Sequence, residues 1–229
     1  MNTRRKLVYG VAAGVLAIAL VYGFMKWQDP YAGLTLTEDV EITDLERSYV
    51  EQRIAVTRAA LDSQAGSEDL DLDLFLTLAW DYTLIGNLVD ARETYEEYFT
   101  HNAINYTAWA NYGTILKKMG DIKLAEEAYL KAIEYNPTEG NYRNYVVLLR
   151  DYDPEGDREE EVLNVLNEGV ARVGQTPWFM VAIAEWYMND ENCEEAFVYF
   201  ELAMDLAPEV TAIAEDYAMA KAACEEGGE

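Results

Sequence analysis

The stretch "NYTAWANYGTILKKMGDIKLAEEAYLKAIEYNP", residues 105–137, decides the fold. Apolar residues recur at helical spacing as far as Met119, and the Gly120-Asp121 pair then breaks the pattern. A second amphipathic run follows. Pro137 ends it, because proline has no amide hydrogen to continue a helix. The reading is two short helices joined by a tight turn. One such hairpin cannot bury its own apolar face, so it has to stack on others.

The same design recurs on both sides. "AWDYTLIGNLVDARETYEEYF" begins at Ala79 and "IAEWYMNDENCEEAFVYFELAMDLAP" begins at Ile183. Gly86 and Gly120 lie 34 residues apart, as do Ala91 and Ala125, and Tyr95 and Tyr129. Between these copies lies a degenerate one. "GNYRNYVVLLRDY" supplies its first helix, with Val146, Val147 and Leu149 expected inward. "REEEVLNVLNEGVARVG" supplies the second, with Val162, Leu166 and Gly169 at the packing positions. Its spacing is three residues too long, and the excess falls in the turn "DYDPEGD".

A period of this length is the signature of a stacked helical-hairpin array, and the stretch resembles the tetratricopeptide repeat family. In that frame the central repeat, residues 106–139, matches at Trp109, Tyr112, Gly113, Leu116, Ala125, Tyr129, Ala132 and Pro137. The last, 177–210, matches at Ile183, Ala184, Tyr187, Ala196, Phe200, Ala203 and Pro208. The first, about 72–105, has Phe75, Leu78, Ala79, Tyr82, Ala91 and Tyr95, with Tyr98 where a small residue is usual. Residues 140–176 form the degenerate repeat. The resemblance implies an all-α, right-handed superhelical solenoid of antiparallel hairpins. A flanking helix at 44–63 should cover the first hairpin through Leu45, Tyr49, Ile54, Val56 and Leu61. A helix at 211–224 should cap the last, leaving a short tail at 225–229.

The first thirty residues read differently. Residues 7–25 carry no charge, and a run of that length spans a bilayer as a helix. Arg4, Arg5 and Lys6 precede it, and Lys26 and then mostly acids, Asp29, Glu38, Asp39, Glu41 and Asp44, follow. The positive-inside rule keeps the basic tail, 1–6, cytoplasmic and sends the folded part to the other side; the layout is similar to that of bacterial inner-membrane members of the repeat family, which implies that membrane. A cleaved signal peptide would have a shorter apolar core and a small-x-small site, whereas this run ends in Gly-Phe-Met-Lys-Trp. The expectation is therefore a single-pass anchor followed by a linker, 26–43. Gly10 and Gly14 form a GxxxG pair that would let two such helices approach closely.

Forty-three acidic residues against 17 basic ones give the chain a formal charge of −26. Phosphate affinity is supplied by Lys and Arg, so this composition argues against nucleic-acid binding. The two cysteines, Cys193 and Cys224, are almost equidistant from Pro208. If the helices on either side run antiparallel, their far ends meet, which permits a disulfide in an oxidising compartment.

No catalytic constellation emerges. The single histidine, His101, has no motif around it, and there is no glycine-rich phosphate loop and no CxxC pair. "EDLDLDLF" lacks the turn glycine of a calcium loop. "DYDPEGDREEEV" has Asp151, Asp153, Glu155 and Gly156 in place but Val162 where the bidentate Glu belongs. Neither a metal nor a cofactor is expected, and the chain does not read as an enzyme. "NYT" at Asn105 fits a glycosylation sequon.

What the resemblance does imply is binding, with the first helices of the repeats lining a concave surface. The lining would comprise Leu76, Trp80 and Leu84; Asn111, Thr114, Lys117 and Lys118; Asn144, Tyr145, Leu148 and Tyr152; and Trp178, Glu185 and Met188. Some members grip a C-terminal carboxylate with Lys, Arg and Asn side chains. Here Leu76, Trp80, Asn111, Asn141 and Tyr145 stand at those positions and only Asn111 agrees. The expected role is a membrane-anchored scaffold or adaptor that takes a peptide or protein partner, in envelope secretion or complex assembly. A cytosol-facing organelle import receptor and a structural homo-oligomer remain alternatives.

Overall fold

A computed structural model describes residues 31–226 apart from 68 and 154. The expected anchor, with Gly10 and Gly14, the basic tail and the last three residues lie outside the described residues. Among the described residues no helix is long and apolar enough to cross a membrane.

Ten helices form among them. In chain order they are α1 (Asp44–Ser63), α2 (Asp73–Leu84), α3 (Leu88–His101), α4 (Tyr106–Met119), α5 (Ile122–Tyr135), α6 (Glu139–Asp151), α7 (Glu159–Val173), α8 (Pro177–Asn189), α9 (Cys193–Leu206) and α10 (Thr211–Glu226). Most starts are set by a polar side chain that accepts from the free amides of the first turn, as Asn87, Asn105, Thr138, Thr176 and Asn192 do. Thr43 and Glu46 make a reciprocal capping box at α1. Asn105, the sequon residue, spends its carboxamide on this duty: its oxygen accepts from Thr107 and Ala108, and its nitrogen donates to the Tyr98 hydroxyl.

The four hairpins are α2/α3, α4/α5, α6/α7 and α8/α9. Every one turns through a residue with positive φ: Gly86 (74°), Gly120 (83°), Gly156 (73°) and, at the same place in the last repeat, Glu191 (58°). A side chain is strained there, so three turns use glycine. In the lengthened third turn, carboxylate oxygens of Asp153 accept from the amides of Asp157 and Arg158. That acid, which the sequence places in a calcium-like loop, holds the turn itself.

Close helix contact depends on small residues. A Cβ added to Gly113 would meet the Tyr129 ring at 2.8 Å, and one at Gly169 would meet Phe179 at 2.4 Å. Ala79 and Ala184, at the position of Gly113 in their own repeats, are fully buried. Tyr98, where a small residue is usual, is buried, and Asn102 and Asn105 both donate to its hydroxyl. The core runs as one cluster from Val50 to Ile213, with a smaller one of Ala184, Phe200 and Ala220 at the far end.

Three expectations are corrected. On α1 the inward face is Val50, Ile54 and Thr57, while Leu45, Tyr49 and Val56 are 81%, 62% and 63% exposed. At 100° per residue the two apolar stripes are about 130° apart. Because α1 packs chiefly against α2, only one stripe is covered. On α6, Val146 and Leu149 are buried, but Val147 falls between stripes and is 39% exposed. Residues 31–43, expected as linker, lie on the array as a strap. Thr35 donates to the Met119 carbonyl, Glu38 donates to that of Gly86, and Leu88 donates back to Leu36. Tyr31 donates to Glu93 at 2.9 Å beneath the Arg92 guanidinium. The exposed carbonyls and amides at the hairpin turns give the strap partners that a sequence window does not reveal.

Cys193, at the start of α9, and Cys224, near the end of α10, are joined by a disulfide across a Cα–Cα distance of 6.2 Å. It closes the last helix onto the array.

Candidate interaction surface

The first helices α4 and α6 approach one another directly, and an ion pair joins α6 to α8. Two charge pairs bridge them. Lys117 of α4 donates to Asp151 of α6 at 2.8 Å, and Arg150 of α6 donates to Glu185 of α8 at 3.1 Å. Arg150 also reaches the Ala182 carbonyl, and the Tyr152 hydroxyl reaches that of Lys117. The Lys117 ammonium is held above its ordinary pKa, chiefly by its bond to Asp151. Beneath this ladder the Tyr129 hydroxyl meets the Thr114 hydroxyl at 3.2 Å. Tyr95 stands beside Asn111 one repeat earlier, its phenol pushed up to about 12 by burial, with Asn111 pulling it back.

The first-helix face therefore gathers Thr114, Lys117 and Glu185, with Asn111 and Asn144 beside them. Trp80 is 54% exposed and Tyr152 43%. Charges on the first helices nearly cancel: α2, α4, α6 and α8 carry five acidic residues against four basic ones. Leu76 and Leu84 are half-buried against the core. Trp178 is also half-buried, with the Arg143 guanidinium 4.9 Å above its ring.

Four expected lining residues lie elsewhere. Leu148 is fully buried, because α6 packs against α4, α5 and α7 and its apolar positions are covered on several sides. Tyr145 is buried and sends its hydroxyl to Glu161 of α7, the other way. Met188 packs with the Ala184, Phe200 and Ala220 cluster, under the disulfide-bonded helix. Lys118 is committed to Glu38 of the strap. Sequence reasoning placed Asp151 in a calcium-like turn and left it and Arg150 out of the lining, although a signal was present. Opposite charges separated by about one repeat, Lys117 with Asp151 and Arg150 with Glu185, land side by side once the array is stacked.

At the amino-terminal end Asp81 is fully buried and paired with Arg53 of α1. Burial, outweighing that arginine, pushes its carboxyl above the usual range, and its second oxygen has no partner. His101 lines a cavity of about 510 Å³ with Arg58, Asp62, Asp90 and Glu93, and its ring lies 5.6 Å from that of Phe75. Among the described residues no serine or cysteine lines this cavity. Among the described residues no cluster of His, Cys, Asp and Glu is arranged to hold a metal.

A family model described as tetratricopeptide repeat matches residues 106–139. No curated protein sequence matches the chain. Among solved structures, MamA superposes with a TM-score of 0.57 at 18% identity, over 75% of this chain and 98% of that one. The C-terminal part of a repeat-containing protein from Cytophaga hutchinsonii gives 0.59 at 16% identity, over 79% of this chain and 72% of that one. YrrB, described as a protein of this repeat type with an unusual peptide-binding site, gives 0.54 at 17% identity, over 75% and 85%. At such identities the likeness is one of fold. Residues 106–139 are thus a tetratricopeptide repeat, set in an all-helical solenoid with the fold of proteins built from such repeats.

Proposed function

We propose that the chain is a scaffold that holds a peptide or protein partner on its first-helix face, anchored to a membrane by residues 7–25. The observation that carries this reading is the pairing of uncovered aromatic rings, Trp80 and Tyr152, with charges that already satisfy one another. Such a face offers apolar anchors and hydrogen-bonding groups without a strong field, which suits an extended or helical peptide. The charge distribution around residues 7–25 favours a basic tail in the cytoplasm and the solenoid outside it, in envelope secretion or complex assembly. The disulfide between Cys193 and Cys224 fits an oxidising compartment.

The test is purification of the full-length chain from its native membrane, beside a Trp80→Ala, Tyr152→Ala variant. A stoichiometric partner held by the wild type and lost from the variant is the expected result. Partners indifferent to both changes would move the site off this face. Resistance to alkaline carbonate extraction, and protection of the solenoid from protease added to the cytoplasmic side, would establish anchor and orientation. Release by carbonate would remove the anchor from the reading.

A further inference from the structure

The second helices of the hairpins carry a different kind of surface. Together α3, α5, α7 and α9 hold fifteen acidic residues against four basic ones, a balance of −11, while the first helices are within one charge of neutral. Within the four hairpins the acidic excess is therefore carried by the second helices.

An apolar track crosses α5. Trp109 and Tyr112 of α4, with Leu124 and Ala128 of α5, wall a cavity of about 450 Å³. Phe99 of α3 stacks behind Trp109 with ring centroids 3.8 Å apart. A second cavity, about 190 Å³, opens between α5, α6 and α7 over Ile133 and Val165. Leu130, 47% exposed, is the ridge shared by both. The cations bordering the track are already neutralised: Lys131 by Glu134 at 2.7 Å and Arg172 by Glu168 at 2.8 Å. Glu127, also on the rim, makes no ion pair among the described residues.

We propose that this track is a second docking surface, distinct from the first-helix face, and that its occupant is a basic amphipathic helix of a partner protein. The cavities flank a single helix, so their centres are about one interaxial distance, roughly 10 Å, apart. Two turns of an α-helix advance about 11 Å, which places apolar anchors at i and i+7 with a smaller apolar residue between them on Leu130. The surrounding carboxylates select Lys and Arg on the flanks of that helix and speed its encounter.

The test uses the full chain in neutral detergent with photoreactive benzoylphenylalanine in place of Leu130. The probe is an 18-residue leucine-lysine amphipathic helix. Covalent capture of one peptide per chain is expected, at least tenfold above the yield when every lysine of the probe is replaced by glutamate. The yield should likewise be at least tenfold above that with the photoreactive residue in place of Trp80. Exposed Lys131 is a second labelling site, should the first change disturb folding, and should capture the same peptide. Equal capture at position 80, equal capture of the acidic peptide, or a crosslink between two copies of the chain would each overturn the proposal.

Discussion

The ammonium of Lys117 lies 2.8 Å from a carboxylate oxygen of Asp151, a residue 34 positions further along the chain. One repeat of sequence thus becomes one helix spacing in space, and the pair clips neighbouring hairpins together on the first-helix face. Lys117 is half-buried and Asp151 half-exposed, so the coupling should be modest. A double-mutant cycle of Lys117→Met and Asp151→Asn is expected to give about 0.5–1 kcal/mol in urea unfolding. A coupling of zero would make the pair a bystander.

Asp81 sets a pH dependence at the amino-terminal end. Its carboxyl titrates higher in the folded chain than in the unfolded one, so the folded state binds that proton more tightly. The contribution is fully present below the ordinary carboxylate range, about 4, and is lost as pH rises through the elevated folded value. Asp81→Asn should therefore gain on the wild type as pH rises through that window. Arg53→Ala, which leaves the buried charge alone, should cost roughly 2–4 kcal/mol at neutral pH and less in acid. Thermal melts of the three proteins across pH 4–8 would check both signs.

Glu191 occupies with φ 58° a turn position that Gly86 and Gly120 fill in their repeats. A left-handed conformation costs an L-residue about 1 kcal/mol. Glu191→Gly is accordingly expected to stabilise the last hairpin by about that much, raising the midpoint of calorimetric unfolding by about 2–4 °C.

Two glycines in helices should respond in opposite directions to alanine. Gly113 faces the Tyr129 ring, so Gly113→Ala overpacks the α4/α5 contact and should cost about 1–3 kcal/mol. Gly140 has nothing within 4 Å of a new Cβ, so Gly140→Ala should stabilise α6 by about 0.5–1 kcal/mol. Chemical denaturation of both variants measures the contrast.

The Cys193–Cys224 bridge closes a sequence separation of 31 residues, which removes about 3–4 kcal/mol of loop entropy from the unfolded chain. In a solenoid each repeat contacts only its neighbours, so the loss on Cys224→Ser should fall on α10 first. Hydrogen exchange should quicken in 211–226 and stay unchanged in α4 and α5.

Much of this was legible in the sequence, and for a physical reason. The 34-residue spacings of Gly86 with Gly120 and of Ala91 with Ala125 record constraints acting within a hairpin. A turn needs a left-handed residue and a close helix contact needs a small one. These demands are met by neighbours in the chain, so they appear as a period.

The surface is set by what stacks on what, and that is not a local property. Leu148 and Thr114 stand 34 residues apart, yet one is core and the other half-exposed. Tyr145 follows a carboxylate on the next helix and Met188 the disulfide-bonded end. Residues 31–43 found partners in the backbone of turns more than 40 positions away. Sequence alone determined the repeat, its helices and its turns through short-range sterics and hydrophobic periodicity. Which side chains face solvent and which charges cancel were decided only when the hairpins packed, since burial and Coulomb interactions depend on distance in space rather than along the chain.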